Sequence, residues 1–195
     1  MNSSQRAPNP EPIRLYYFPG TRASRVKWML EETGLPYDVA LIDLRKREHK
    51  SESYRAINPL GKVPALAIGE RVIIESPTTL APDITSPLRA DYYQWMAFSV
   101  ATLEPAIIEQ KRADKADELG VEKIDMGPVL TPLKNTLEYV DSTLADRTFF
   151  LGKDFTAVDV IVGSQLNKAD EVGLLAGYQH TRRWLDRLRA RPAFQ

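Results

Sequence analysis

Cysteine is absent from the 195 residues of this chain. That absence excludes disulfides, zinc–thiolate sites, cysteine nucleophiles and dithiol redox motifs, so any thiol chemistry has to arrive with a bound ligand. A charge excess is missing as well: Lys and Arg number 26, Asp and Glu 26, and no long block of one sign occurs. The electrostatic footprint of a nucleic-acid or membrane-surface binder is therefore lacking. No apolar run reaches membrane-spanning length, and the first residues are Ser, Asn, Gln and Pro rather than the apolar stretch of a signal peptide. The expectation is a cytoplasmic protein with no nucleic-acid or membrane partner and a loose tail over residues 1–12.

What is present is enough apolar material, 43% of the residues, to pack one large or two small domains. Ile13 to Phe18 alternates and is aromatic, then Pro19-Gly20 breaks it, which reads as a strand. Val26, Met29 and Leu30 follow at helical spacing with Trp28 alongside, and Gly34-Leu35-Pro36 stops the helix. Tyr37 to Leu44 contains a second strand, and Glu48 to Ile57 a more polar helix ending at Asn58-Pro59. Ala65–Ile68 and Arg71–Ile74 form a hairpin about Gly69-Glu70. The order strand, helix, strand, helix, strand, strand describes a compact α/β layer.

From Ser86-Pro87, a Ser cap followed by Pro, the pattern becomes wholly helical. Leu88, Tyr92, Trp95, Met96, Ser99 and Leu103 share one face, and Val129, Leu133, Leu137, Val140 and Leu144 another. The charged interval Lys111 to Gly127 reads as a bend or loop between them. Thr156 and Asp159 have the spacing of a capping box, with Phe155 placed to staple Val160; Asp159 is accordingly read as a cap rather than a catalytic carboxylate. In the Arg-rich end, Trp184, Leu185 and Leu188 read as packing residues, and the arginines as hydrated partners of the helix dipole.

Three stretches, "LYYFPGTRASRVKWMLEETGLP", "HKSESYRAINPLGKVPALAIGERVIIES" and "FLGKDFTAVDVIV", together resemble the cytosolic glutathione S-transferases. The resemblance implies a thioredoxin-like N-terminal domain over 13–80, a linker over 81–87 and an all-helical C-terminal domain over 88–195, that is, α/β plus all-α. It implies that Pro64 is cis and that the backbone N–H and C=O of Val63 pair with the cysteinyl part of glutathione, the co-substrate. Glu75 and Ser76 would hold its γ-glutamyl end, while His49 and Lys62 match positions that reach its glycine carboxylate. Each residue also has a plainer reading: Pro64 as an edge-strand cap, Glu75-Ser76 as a helix start, Lys62 and His49 as solvated surface.

A thiol must become a thiolate at neutral pH, and a hydrogen bond to an ionised group, about 1.5–3 kcal/mol, outweighs the roughly 0.3–1 kcal/mol of a helix dipole. The catalytic hydroxyl implied by the resemblance is Thr21 first, Tyr17 second and Ser24 third, with Arg22 an electrostatic helper. Tyr17 is equally a core aromatic of its strand. The electrophile is expected to be small and hydrophobic, held in an apolar pocket of the helical half that includes Phe98 and Thr102, and the family implies a homodimer.

One departure stands out. After Ser76 the family carries a helix, but here Pro77, Pro82 and Pro87 interrupt the stretch and a helix cannot run through them. About a dozen residues, one ordinary helix, are missing; either a segment has been omitted from the sequence, which is preferred, or the deletion is real. The second functional reading, a non-catalytic binding or assembly module on the same scaffold, rests on this gap and on Phe18, which replaces the serine of many bacterial relatives.

Overall fold

A computed structural model describes residues 11–74, 80–120 and 132–194. They fall into two compact units, one up to residue 78 and the other from residue 79 to 194.

In the first unit the alternation of Ile13–Tyr17 (β1) sends Leu15 inward with Ile13 and Tyr17 beside it, and Tyr16 to the opposite face. Ala23–Thr33 (α1) lays Val26 and Leu30 on Leu15 and Leu66, and Gly34, left-handed at φ 64°, closes the helix. Each such buried aliphatic side chain contributes about 1.5–3 kcal/mol. Asp38–Leu41 (β2) runs parallel to β1; Ala65–Ile68 (β3) and Arg71–Ile74 (β4) are antiparallel to their neighbours, giving the order β2-β1-β3-β4. This is the thioredoxin-like arrangement. Gly69 takes the positive φ, 57°, that a two-residue hairpin loop requires.

The polar helix expected over Glu48–Ile57 is instead a 3-10 turn, Glu48–Lys50, and a helix, Glu52–Ile57 (α2). Ser51 divides them because it is extended and its hydroxyl caps the Tyr54 N–H at 3.2 Å. On the second sheet face Tyr16 meets Tyr54 edge-on, 5.8 Å between centroids.

In the second unit the Ser86 hydroxyl accepts the Leu88 N–H, and regular helix begins at Arg89–Phe98 (α3). A π turn over Ser99–Leu103 joins it to Glu104–Leu119 (α4). Pro105 explains the turn, since it brings no N–H to the ladder and crowds the preceding carbonyls. The buried Ser99 is held there by Gln165, whose amide reaches its hydroxyl at 3.0 Å and its carbonyl at 3.3 Å.

The expected loop from Lys111 is corrected as far as Leu119, which is helical, with Gly120 as a left-handed cap. Its charged residues are good helix formers braced by local pairs, such as Lys115 with Glu118 at 3.0 Å; polarity there marks solvent, not irregular backbone. Residues 121–131, including Val129, lie outside the described residues. Between β4 and α3, residues 80–88 form bends and turns with no helix among them.

Leu133–Thr143 (α5), Ala157–Asp170 (α6) and Gln179–Arg189 (α7) complete the unit. Its core runs through Trp95, Phe150 and Trp184, with ring centroids 4.7 and 5.0 Å apart, and Leu137, Val140, Leu144, Leu166, Leu185 and Leu188 around them. Asp159 does more than cap α6. Beside the Thr156 N–H at 2.9 Å it accepts the Phe150 N–H at 3.0 Å and the Trp184 indole N–H at 3.1 Å, so one carboxylate ties the preceding loop and α7 to the helix start. Burial pushes its carboxyl up to about 6 against these hydrogen bonds, which pull it down. Phe155 packs edge-on against Phe149 with the Arg191 guanidinium 3.8 Å from its ring centre.

Candidate glutathione site

The sheet topology brings the C-terminal end of β1 and the N-terminal end of β3 to one edge: Tyr16 pairs with Ala65, so the loop after Tyr17 and the approach to β3 leave the sheet side by side. Ile74 also pairs with Ala65, so β4 ends there too. The Glu75 and Ser76 that follow lie outside the described residues.

The Val63–Pro64 peptide is cis. Val63 is half-buried, and neither its N–H nor its C=O is hydrogen-bonded to any described residue. A backbone held in place with both groups open offers a donor and an acceptor to a second, extended chain.

The loop behind it is tightly pinned. The Lys62 carbonyl accepts the Tyr54 hydroxyl and the Asn58 amide, each at 2.7 Å. Asn58, 1% exposed, also accepts the Leu60 N–H at 3.1 Å, and its carbonyl takes the Gly61 N–H at 2.8 Å. The Lys50 ammonium donates to the Gly61 carbonyl at 3.0 Å. Burial pushes the Tyr54 phenol up to about 12, so it stays a protonated donor. Tyr54, Asn58, Lys50 and Gly61 were not singled out from sequence. The available signal was the Asn-Pro-Leu-Gly run before Val63, a turn whose side chains reach back into it.

Of the two residues matched to the glycine carboxylate, Lys62 is exposed, and no described residue pairs with its ammonium. His49 is half-buried, with Nδ1 buried and unpartnered. Its carbonyl lies against Gly61.

The three candidate hydroxyls separate by environment. Thr21 Oγ donates to the Phe18 carbonyl at 2.7 Å and accepts the Ala23 N–H at 3.2 Å, bracing the entry to α1. A threonine hydroxyl rotates, and exchanging a neutral carbonyl for a thiolate replaces roughly 1 kcal/mol of hydrogen bond by roughly 1.5–3. Ser24, in the first turn of α1, is half-buried, and its hydroxyl bonds to no described residue. Tyr17 packs on the Leu15, Val26, Leu30 and Leu66 cluster, the core position its strand alternation allows. Arg22 is exposed at the N-cap position of α1. Thr21, Arg22 and Ser24 thus follow the C-terminal end of β1, Lys62, Val63 and Pro64 lead into the adjacent N-terminal end of β3, and Tyr17 packs against the core cluster. Among the described residues no cluster of acidic and histidine side chains is arranged to hold a metal, and no helix is long and apolar enough to cross a membrane.

This geometry agrees with what the chain is similar to. A model of the glutathione S-transferase N-terminal domain matches residues 11–78, and one of the C-terminal domain matches residues 105–187. Glutathione S-transferase GstA of Escherichia coli O157:H7 is 26% identical over 198 residues, covering 94% of this chain and 96% of its own. Glutathione S-transferase 3 of Zea mays is 25% identical over 211 residues, covering 94% and 92%. Among solved structures, a glutathione transferase family member from Pseudomonas fluorescens, with two glutathione bound, superposes with a TM-score of 0.76 at 23% identity over 96% of this chain and 92% of that one; it shares the fold. The two domain models fall on the two units in family order and take in most of the sequence, and the chain belongs to the glutathione S-transferase family.

Proposed function

We propose that the protein is a glutathione transferase in which Val63, presented by the cis Pro64, binds the cysteinyl part of glutathione through its backbone. The observation that carries this reading is the open N–H and C=O of Val63, at a cis Val63–Pro64 peptide, next to a Lys62 carbonyl held by Tyr54 and Asn58. Thr21 supplies the hydroxyl that stabilises the thiolate, because it stands at the start of α1 with its oxygen already held by the Ala23 N–H. Ser24 is the alternative donor. Lys62 and Arg22 contribute positive charge and His49 a hydrogen bond to the peptide's carboxylates, while at its γ-glutamyl end Glu75 accepts from the ammonium and Ser76 donates to the carboxylate.

The chemistry is a displacement: the thiolate sulfur forms a bond to an electrophilic carbon, and the leaving group departs with the bonding pair. A chain without cysteine has no thiol of its own to compete, so the nucleophile is the ligand's. The electrophile is small and hydrophobic, which suits a detoxifying role in the cytoplasm. Homodimerisation is part of the same proposal. Tyr93, Val100 and Ile108 are exposed on the α3–α4 helix at helical spacing, with the exposed Ala97 and Ala101 between them, an apolar stripe suited to a second copy.

Glutathione-dependent conjugation of a generic aromatic halide tests the enzyme reading, with glutathione affinity measured in parallel. Turnover supports it. Glutathione binding without turnover of any of a panel of electrophiles favours the binding module, and absence of glutathione binding sinks both.

A further inference from the structure

We infer that Tyr54 and Asn58 are positioning residues for the glutathione-reading amide of Val63. The inference rests on the function proposed above. The carbonyl that both side chains grip belongs to Lys62, so it shares a peptide plane with the Val63 N–H. In a trans peptide the C=O and N–H point in opposite directions. Anchoring the oxygen on the protein side therefore aims the N–H the opposite way, away from Tyr54 and Asn58.

Two donors on one carbonyl fill both of its lone pairs, so the plane cannot rotate without losing both bonds. Hydrogen bonds accepted by a carbonyl also polarise the amide across the C–N bond, strengthening its N–H as a donor. The anchors are themselves immobile. Tyr54 is 3% exposed with its ring against Tyr16, and Asn58 is 1% exposed with its amide oxygen occupied by Leu60. Gripping a turn carbonyl from a core tyrosine and a buried asparagine is more than the turn itself needs, since one bond satisfies a buried carbonyl.

The test pairs glutathione with an analogue whose cysteinyl carbonyl is replaced by a methylene, so that the Val63 N–H has nothing to bond. Affinities are measured for the parent, Tyr54→Phe and Asn58→Asp; the second keeps an acceptor for Leu60 and sets a carboxyl oxygen in place of the amide donor to the Lys62 carbonyl. Each variant is expected to weaken glutathione about three- to tenfold, the equivalent of one modest hydrogen bond, while the analogue loses less, so the ratio between the ligands shrinks. The ¹H–¹⁵N resonance of Val63 should shift in the ligand-free variants. Unchanged glutathione affinity, or an equal loss for both ligands, overturns the inference and leaves the glutathione reading intact. If the parent does not bind glutathione, the proposed function fails, and the positioning role with it.

Discussion

The two units each contain a polar network built around two acceptor oxygens, and they use it oppositely. In the helical unit the Asp159 carboxylate gathers Phe150, Thr156 and Trp184, all buried or nearly so, and every donor points inward. In the sheet unit Tyr54, Asn58 and Lys50 pin the carbonyls of residues 61 and 62 and stop there; the N–H and C=O of Val63 are left open. A closed network answers the cost of burying polar atoms and serves stability. A network that holds a carbonyl and leaves the following residue's N–H and C=O open fixes a backbone for something outside the chain.

The contrast is broken most directly by removing its centre in the helical unit. Asp159→Ala leaves the Phe150 and Thr156 N–H groups and the Trp184 indole without their acceptor in a dry interior and is expected to cost about 3 kcal/mol or more. Urea unfolding followed by tryptophan fluorescence measures this; a loss below about 1 kcal/mol would mean the network is replaceable.

A smaller effect follows from proton linkage at the same residue. Its folded-state pKa, about 6, lies above the ordinary 3.8, so the folded protein binds this proton more tightly than the unfolded chain. The resulting stability is complete below about pH 4, is lost as pH rises through about 6, and amounts to something on the order of 1–3 kcal/mol. Asp159→Asn should flatten that part of the stability–pH curve. An Asn variant with the parent's slope from pH 4 to 6.5 would assign the titration elsewhere.

In the sheet unit the corresponding changes should alter chemistry rather than folding. Thr21→Ala is expected to lower kcat/KM for conjugation roughly 10- to 100-fold, the equivalent of a hydrogen bond to a thiolate, and to raise the pKa of bound glutathione seen in thiolate absorbance. Tyr17→Phe should leave both near parental values. If the two variants behave the other way round, the packing of Tyr17 has been mistaken for its role. The least effect is expected from Lys62→Ala, a two- to fivefold weaker glutathione affinity, roughly, that disappears as salt is raised.

Local signals carried most of the fold into the sequence. The hairpin about Gly69-Glu70, the end of α1 at Gly34 and the Thr156–Asp159 box are written within a few residues and appear in the structure as read. The reading failed in opposite directions at two places: Lys111 to Leu119, taken for a loop because it is polar, is solvated helix, and Ser51 breaks a stretch whose residues otherwise suit one helix. The site was legible only in part. Val63 and Pro64 stand out because proline before a strand is unusual, whereas the grip of Tyr54 and Asn58 on the Lys62 carbonyl depends on a chain reversal that no periodicity encodes. The direction of the Thr21 hydroxyl likewise follows from the turn it braces.

Gly61 sets a limit on how this loop can be diversified. Its φ of 56° disfavours side chains, and a β-carbon there would sit 2.7 Å from the His49 carbonyl and 3.3 Å from the Lys50 ammonium. Backbone, unlike a side-chain tip, cannot step aside. A library randomised at residues 61 and 62 and sorted for folded protein would recover glycine at position 61 almost without exception, while the exposed position beside it accepted many side chains. Among the neighbours 61 and 62, attempts to retune ligand preference thus have room at the exposed position and none at the glycine.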